Sequence, residues 1–195
     1  MAGMVSDYSP KHGVVSLLDP VFSERVRRTW TLLENKLGLR GVLVMPFPHF
    51  SYQIAQGYGR SEIEIALRWI AEEVPRFTVR TTGLAEFGGP WPVVYIAIEG
   101  TPSLRMLHAK VWNACLPFAT GAVEYYRPGA WVPHITLAHG EERNSVPLPS
   151  NFVSGVRDVL RIDDFRWEVP IDNLSLVWDD GALQRPVVSF PLEGS

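Results

Sequence analysis

The sequence holds a single cysteine, Cys115, among 195 residues. One thiol excludes an internal disulfide and any multi-cysteine metal site. It fits a reducing compartment, so a cytoplasmic home is expected. Long hydrophobic runs are also missing. The most apolar stretch, Val42 to Phe50, is broken by Pro46, Pro48 and His49 and is far too short to span a bilayer. Met1 to Gly13 is polar and mixed, without the apolar core of a signal segment. Nor is there an excess of positive charge. Against 21 Asp and Glu stand 18 Lys and Arg, a net charge of −3, whereas proteins held to long nucleic acid by phosphate neutralisation are usually basic. Neither a membrane nor a long nucleic acid is therefore expected as partner. A small anionic ligand is compatible, because a few local groups can hold one. Low-complexity segments and long linkers are absent too, and residues 1–195 are read as one domain of two lobes.

What is present is ordinary for a globular protein: 46% hydrophobic and 20% charged residues, enough to build a core. Val14 to Leu18 reads as a buried strand. Asp19-Pro20 opens a helix with apolar residues Phe22, Val26, Trp30, Leu33 and Leu37, stopped at Gly38. Gly41 to Ala55 is β-prone with a kink at Pro46 and Pro48, and Gln56 to Gly59 is a turn. Ser61 and Glu64 suggest a capping box for a helix through Val74. Phe77 to Thr82 and Pro92 to Ile98 read as paired strands joined by a flexible Glu86 to Trp91 turn. Thr101-Pro102 caps a helix bearing Leu104, Leu107, Val111 and Cys115. Gly121 to Tyr126 and Trp131 to His139 are strand candidates, and Ser150 caps a helix through Leu160. Phe165 to Val169, Leu174 to Trp178 and Pro186 to Phe190 follow as strands, with a hairpin turn at Asp179-Asp180-Gly181. This irregular interleaving of strand pairs and helices favours α+β with mainly antiparallel sheets over a doubly wound parallel sheet.

One short pattern occurs twice. Pro48-His49-Phe50-Ser51-Tyr52 recurs as Pro133-His134-Ile135-Thr136-Leu137: Pro, His, apolar, hydroxyl, apolar. The copies take corresponding places in the two halves of the chain, which are read as the two lobes. Alternation along a strand sends His49 with Ser51, and His134 with Thr136, to one face, while the apolar residues anchor the other. Two such pairs facing one cleft would set two imidazoles and two hydroxyls around one small volume. That set suits phosphodiester chemistry. One neutral imidazole takes a proton from the attacking oxygen, the other gives one to the leaving oxygen, and Ser51 and Thr136 bind phosphate oxygens. The pattern needs no metal and no other cofactor, and it leaves open which histidine is acid and which is base.

The doubled H-x-[ST]-x pattern resembles the 2H phosphoesterase superfamily, with its 2'-5' RNA ligase-like proteins and cyclic nucleotide phosphodiesterases. The resemblance extends over nearly the whole chain. It implies a bilobed α+β fold, two pseudo-symmetric, mainly antiparallel sheets with flanking helices and a central cleft, each motif on a central strand. It further implies metal-free action on 2',3'-cyclic phosphates, 2'-5' linkages or related phosphodiesters, with His49 and His134 as the acid/base pair and Ser51 and Thr136 as phosphate-binding hydroxyls. Two positions depart from the commoner pattern: Ser51 stands where Thr is usual, and His139 where many relatives carry Arg. Three functions stay open: hydrolysis of a small cyclic or 2'-5' linked nucleotide, binding of a nucleotide or RNA end without turnover, and 2'-5' RNA ligation. A monomer is expected, since the cleft is built within one chain.

The other chemistry-bearing residues have plainer readings. His139 is expected on the strand face opposite His134, which argues against a shared metal site. His108 is expected to be packed in the core, His12 to lie in a mobile start, Cys115 to be an inert helix residue, and Glu141 to Arg143 to form a solvated loop. Trp30 and Trp69 read as packing or partly exposed residues. Phe47, Trp131 and the Phe87 to Trp91 turn are the candidates for a base platform, and Arg80 and Arg127 for a second phosphate.

Overall fold

The computed structural model describes residues 11–40, 42, 45–140, 150–179 and 184–194. Its strands are β1 (His12–Leu17), β2 (His49–Ala55), β3 (Gly57–Tyr58), β4 (Phe77–Phe87), β5 (Val93–Ile98), β6 (Ala119–Thr120), β7 (His134–His139), β8 (Glu168–Ile171), β9 (Asn173–Asp179) and β10 (Gln184–Pro191). Its helices are α1 (Pro20–Leu37), α2 (Arg60–Glu73), α3 (Pro102–Cys115) and α4 (Phe152–Val159). Two four-stranded sheets, in the orders β10-β9-β1-β2 and β7-β5-β4-β8, carry the architecture, and every strand pair is antiparallel. Helices α2 and α3 pack on the first sheet, α1 and α4 on the second. This is the expected α+β class.

The lobes are not the two halves of the chain. The first sheet joins β1 and β2 to β9 and β10, and the second joins β4 and β5 to β7 and β8. Helix α1 follows a strand of the first sheet yet packs on β7 of the second. The cause is that local hairpins, β4–β5 and β9–β10, supply adjacent strands, while the remaining pairings are long-range. Each motif strand is also the outermost strand of its sheet rather than a central one. The two edges, β2 and β7, approach each other.

Local signals explain most elements. The Asp19 carboxylate accepts from the Val21 and Phe22 amides, Pro20 occupies the first helical turn, and Gly38 closes α1 with φ 69°. The Thr101 hydroxyl accepts from the Leu104 amide and starts α3. Other expectations need correction. Helix α2 is capped at Gly59 without a side-chain bond; it starts at Arg60, so Ser61 lies inside the first turn and closes no box with Glu64, which pairs with Arg60. Helix α4 is capped at Asn151, not Ser150. The Gln56 to Gly59 turn contains β3, which pairs with β6. Gly121 to Tyr126 is not a strand: Gly121 turns the chain with φ 62°, and Glu124–Tyr126 is a 3-10 turn. Phe165 precedes β8 instead of belonging to it, and β7 begins at His134 rather than Trp131.

Strand β4 is longer than its sequence suggests and runs through Glu86 and Phe87. It pairs with β8 through Phe77 to Arg80 and with β5 from Thr81 onward. The two partners lie on opposite edges of β4, and an irregularity at Thr82 with the positive φ of Gly83 (112°) bends the strand where the β5 pairing begins. The Thr81 hydroxyl holds this point by donating to the Phe165 carbonyl at 2.6 Å and accepting from the Trp167 amide at 2.7 Å. The predicted turn residues Asp180 and Gly181 and the loop Glu141 to Arg143 lie outside the described residues.

Candidate active site

The alternation read from the motifs holds at both copies. Phe50, Tyr52, Ile135 and Leu137 are fully buried, while His49, Ser51, His134 and Thr136 are only partly covered. The match then extends to the backbone. In β2 the register slips so that Tyr52 is an extra residue between the pairs Ser51–Val15 and Gln53–Val14. In β7 the slip leaves Leu137 extra between Thr136–Tyr95 and Ala138–Val94. Both bulges thus sit directly after the motif hydroxyl, where they bend the edge strand and re-aim the side chains before it.

The repeated prolines have matching roles. Proline brings no N–H and restrains the residue before it to extended backbone. The Pro48 carbonyl accepts from the Leu18 amide at 3.0 Å, and the Pro133 carbonyl from the Ile98 amide at 3.1 Å. Each carbonyl one residue earlier turns to the imidazole: His49 Nδ1 lies 2.8 Å from the Phe47 oxygen and His134 Nδ1 2.7 Å from the Val132 oxygen. A carbonyl oxygen only accepts, so Nδ1 carries the hydrogen in both rings. Nε2 is then the basic position of each neutral imidazole.

His134 lies close enough to bear on the charge of His49. Burial pushes His49 down to about 4, with the neighbouring His134 adding to the effect and the Phe47 carbonyl opposing it. His134 is lowered by burial, against the Val132 carbonyl. Aromatic side chains wall both rings. Phe47 lies 5.3 Å from His49, and Phe87 and Tyr95 each lie 5.1 Å from His134, with their own ring centres 4.3 Å apart and tilted by 31°. Two candidates from the sequence, Phe47 and Phe87, are therefore at the site. Trp91 is half exposed. Trp131 is no platform: it is 6% exposed, lies flat on His108 at 3.9 Å, and donates its indole N–H to the Ser51 carbonyl at 2.9 Å. Arg80 and Arg127 are exposed and paired with Glu168 and Glu124.

Sequence reasoning missed three residues. The Tyr126 hydroxyl is hydrogen-bonded to the Ser51 hydroxyl, and burial pushes its pKa up to about 12 against that bond. Trp30 donates its indole N–H to the Thr136 carbonyl at 3.1 Å. Tyr95 reaches His134 because β5 pairs with β7. Alternation along β5 could have set Tyr95 and Ala97 on one face, but the strand's partner was not legible. Nothing in the sequence points to Tyr126, which reads as the end of a strand.

The remaining histidines divide. His108 is buried as expected, with Nε2 2.8 Å from the Tyr126 carbonyl. His12 belongs to β1, where it is 6% exposed, stacked on Trp178 at 3.8 Å, and accepts the Asp179 amide at Nδ1. His139 is not on the face opposite His134. The bulge at Leu137 shifts the phase, and the pairs Val93–His139, Tyr95–Thr136 and Ala97–His134 return all three β7 residues to one face. Among the described residues no three His, Cys, Asp or Glu side chains gather to hold a metal, and no helix is long and apolar enough to cross a membrane. Cys115 is buried, and its thiol is pushed up to about 12.

Comparison with known proteins agrees with this layout. Residues 24–183 match the sequence model of the 2'-5' RNA ligase superfamily. A Bacillus cereus (strain AH820) protein, provisionally named a phosphoesterase, is 31% identical over 112 residues, 57% of this chain and 57% of that protein. A Bacillus thuringiensis (strain Al Hakam) protein with the same provisional name is 30% identical over the same shares. The chain thus matches just over half the length of these curated relatives. Among solved structures, TT0787 of Thermus thermophilus superposes with TM-score 0.60 at 19% identity, over 95% of this chain and 99% of the other. LigT of E. coli complexed with 3'-AMP superposes with TM-score 0.52 at 16% identity, over the same shares. At these identities the likeness is one of fold.

Proposed function

The chain belongs to the 2'-5' RNA ligase superfamily, and we propose that it is a metal-independent phosphodiesterase acting on a small 2',3'-cyclic or 2'-5' linked nucleotide. One observation carries this reading: two bulged edge strands, each bearing an imidazole with Nε2 as its basic position and a hydroxyl two residues on, lie against one another, with His134 near enough to bear on His49. The complex of the E. coli neighbour with 3'-AMP supports a nucleotide-sized ligand.

With a 2',3'-cyclic substrate, Ser51 and Thr136 donate to the non-bridging phosphate oxygens and hold phosphorus between the rings. One Nε2 takes a proton from the attacking water as the new P–O bond forms. The bond to the ribose oxygen opposite breaks, and the second ring, protonated at Nε2, gives its proton to that oxygen. The product is a phosphomonoester, and solvent exchange returns each ring to its starting state. Burial makes both rings neutral near pH 7 without ligand. The phosphodiester's negative charge raises the affinity of a neighbouring ring for the proton that the acid must carry.

The test is turnover of 2',3'-cyclic nucleotides, 2'-5' dinucleotides and ADP-ribose cyclic phosphate in EDTA, from pH 4.5 to 9. EDTA-resistant turnover that His49→Ala and His134→Ala each lower on the order of 100-fold or more is the expected result. Unchanged turnover in either variant rejects the mechanism. Tight binding with no product from the wild type moves the assignment to a nucleotide or RNA-end sensor of the same fold. Joining of RNA ends without cleavage moves it to ligation.

A further inference from the structure

The motif strands are sheet edges, and an edge leaves backbone groups without a ladder partner. At this cleft two of those groups are the carbonyls of the motif hydroxyl residues, and each is met by an indole. Trp30, on α1, donates to the Thr136 carbonyl at 3.1 Å, and Trp131, just before β7, donates to the Ser51 carbonyl at 2.9 Å. The arrangement is crossed. The first motif's strand is held by an indole from the segment that leads into the second motif. The second is held by a helix that follows a strand of the first sheet. Both indoles are 6% exposed, so each N–H has little access to water and the bond is costly to leave unmade. Trp131 is itself fixed between Tyr52, 6.0 Å away, and His108, 3.9 Å away.

We infer that Trp30 and Trp131 are a pair of positioning residues which tie the two motif strands together and set the place of the phosphate-binding hydroxyl on each. Neither touches the reacting atoms. Their effect passes through the carbonyls they hold, each belonging to the residue that carries a phosphate-binding hydroxyl. A two-lobed site needs such a tie because no ladder hydrogen bond joins β2 to β7, and a misplacement of about 1 Å at a reacting centre can cost on the order of 100-fold in rate.

The inference rests on the phosphodiesterase reading for its kinetic readout, so the experiment has two arms. In the first, Trp131→Phe and Trp30→Phe remove the N–H and keep an aromatic ring, and each is compared alone and combined with Ser51→Ala or Thr136→Ala. The expected result is a kcat lowered about 10- to 100-fold with KM within about threefold. The Trp131→Phe effect should shrink in the Ser51→Ala background and persist in Thr136→Ala, with the reverse for Trp30→Phe. Equal losses in both backgrounds, or no loss, overturn the inference, because general loosening has no such cross pattern. In the second arm, NMR titration follows the two imidazoles without substrate. Loosened strands should bring the His49 midpoint up toward its ordinary value, and midpoints identical to wild type overturn the inference. Should a Phe variant fail to fold, 3-benzothienylalanine at the same position, which replaces the N–H with sulfur in a ring system of the same shape, serves in both arms. A wild type that turns over nothing defeats the phosphodiesterase reading alone, and the titration still decides the tie.

Discussion

At neutral pH both imidazoles of the cleft are neutral in the unliganded protein, and this has consequences at the scale of single residues. The bell of kcat/KM against pH should centre below about 6.5, the ordinary histidine value, because burial holds both rings under it. A lowered imidazole also affects stability. The unfolded chain binds protons near pH 6.5 while folded His49 resists to about 4. Stability is therefore unaffected above that window and falls as pH drops through it. Urea midpoints at pH 7 and pH 4.5 should move closer together in His49→Gln than in wild type; an equal gap would show that His49 is not responsible. Replacing either histidine with Ala should cost on the order of 100- to 10,000-fold in kcat. Tyr126→Phe, which removes only the hydroxyl bonded to Ser51, should raise KM severalfold, measured with the same substrate. These histidines and hydroxyls were legible in the sequence because a polar pattern repeated where packing alone asks for none. Tyr126, Trp30 and Tyr95 were not, because each reaches the site through a long-range contact that a single sequence does not print.

At the scale of elements, strands were recognised by alternation and helices by caps, and the errors came where something overrode those signals. The bulges at Tyr52 and Leu137 are the clearest case. They leave the motif's own alternation intact and shift the phase just after it, so His139 comes back to the face that simple alternation denies it. The Ser61 and Glu64 box is absent because α2 starts at Arg60 and puts Ser61 inside its first turn, where a serine no longer caps. Strand β4 exceeded its expected length because Gly83, which reads as a breaker, supplies the left-handed step of a bend. Gly83→Ala should therefore lower the urea midpoint, since an L side chain at φ 112° is strained. Asp19→Ala, which removes the acceptor for two amides at the start of α1, should cost about 1 kcal/mol of unfolding free energy. Thermal denaturation of both variants checks these values, and an unchanged midpoint would refute either.

For the whole molecule, the sequence suggested two lobes in two halves, and the structure has two lobes each woven from both. A repeat in the sequence marks equivalent strands; it does not say which strands they pair with. The second sheet comes from the middle of the chain, residues 77–171, and the first from the segments that flank it; because α1 crosses onto the second sheet and α3 onto the first, neither lobe can unfold without breaking the packing of the other. One transition by heat or urea is expected, with tryptophan fluorescence and far-UV circular dichroism coinciding; separate midpoints would show independent lobes. The same weave orders events on the ribosome. The first histidine strand ends at Ala55 and the hairpin that completes its sheet at Pro191, an interval of 191 − 55 = 136 residues, or on the order of ten seconds at typical elongation rates. Until then β1 has only β2 to pair with, so the flank it later gives to β9 stays bare, and the sheet that carries His49 is complete only when the last hairpin arrives.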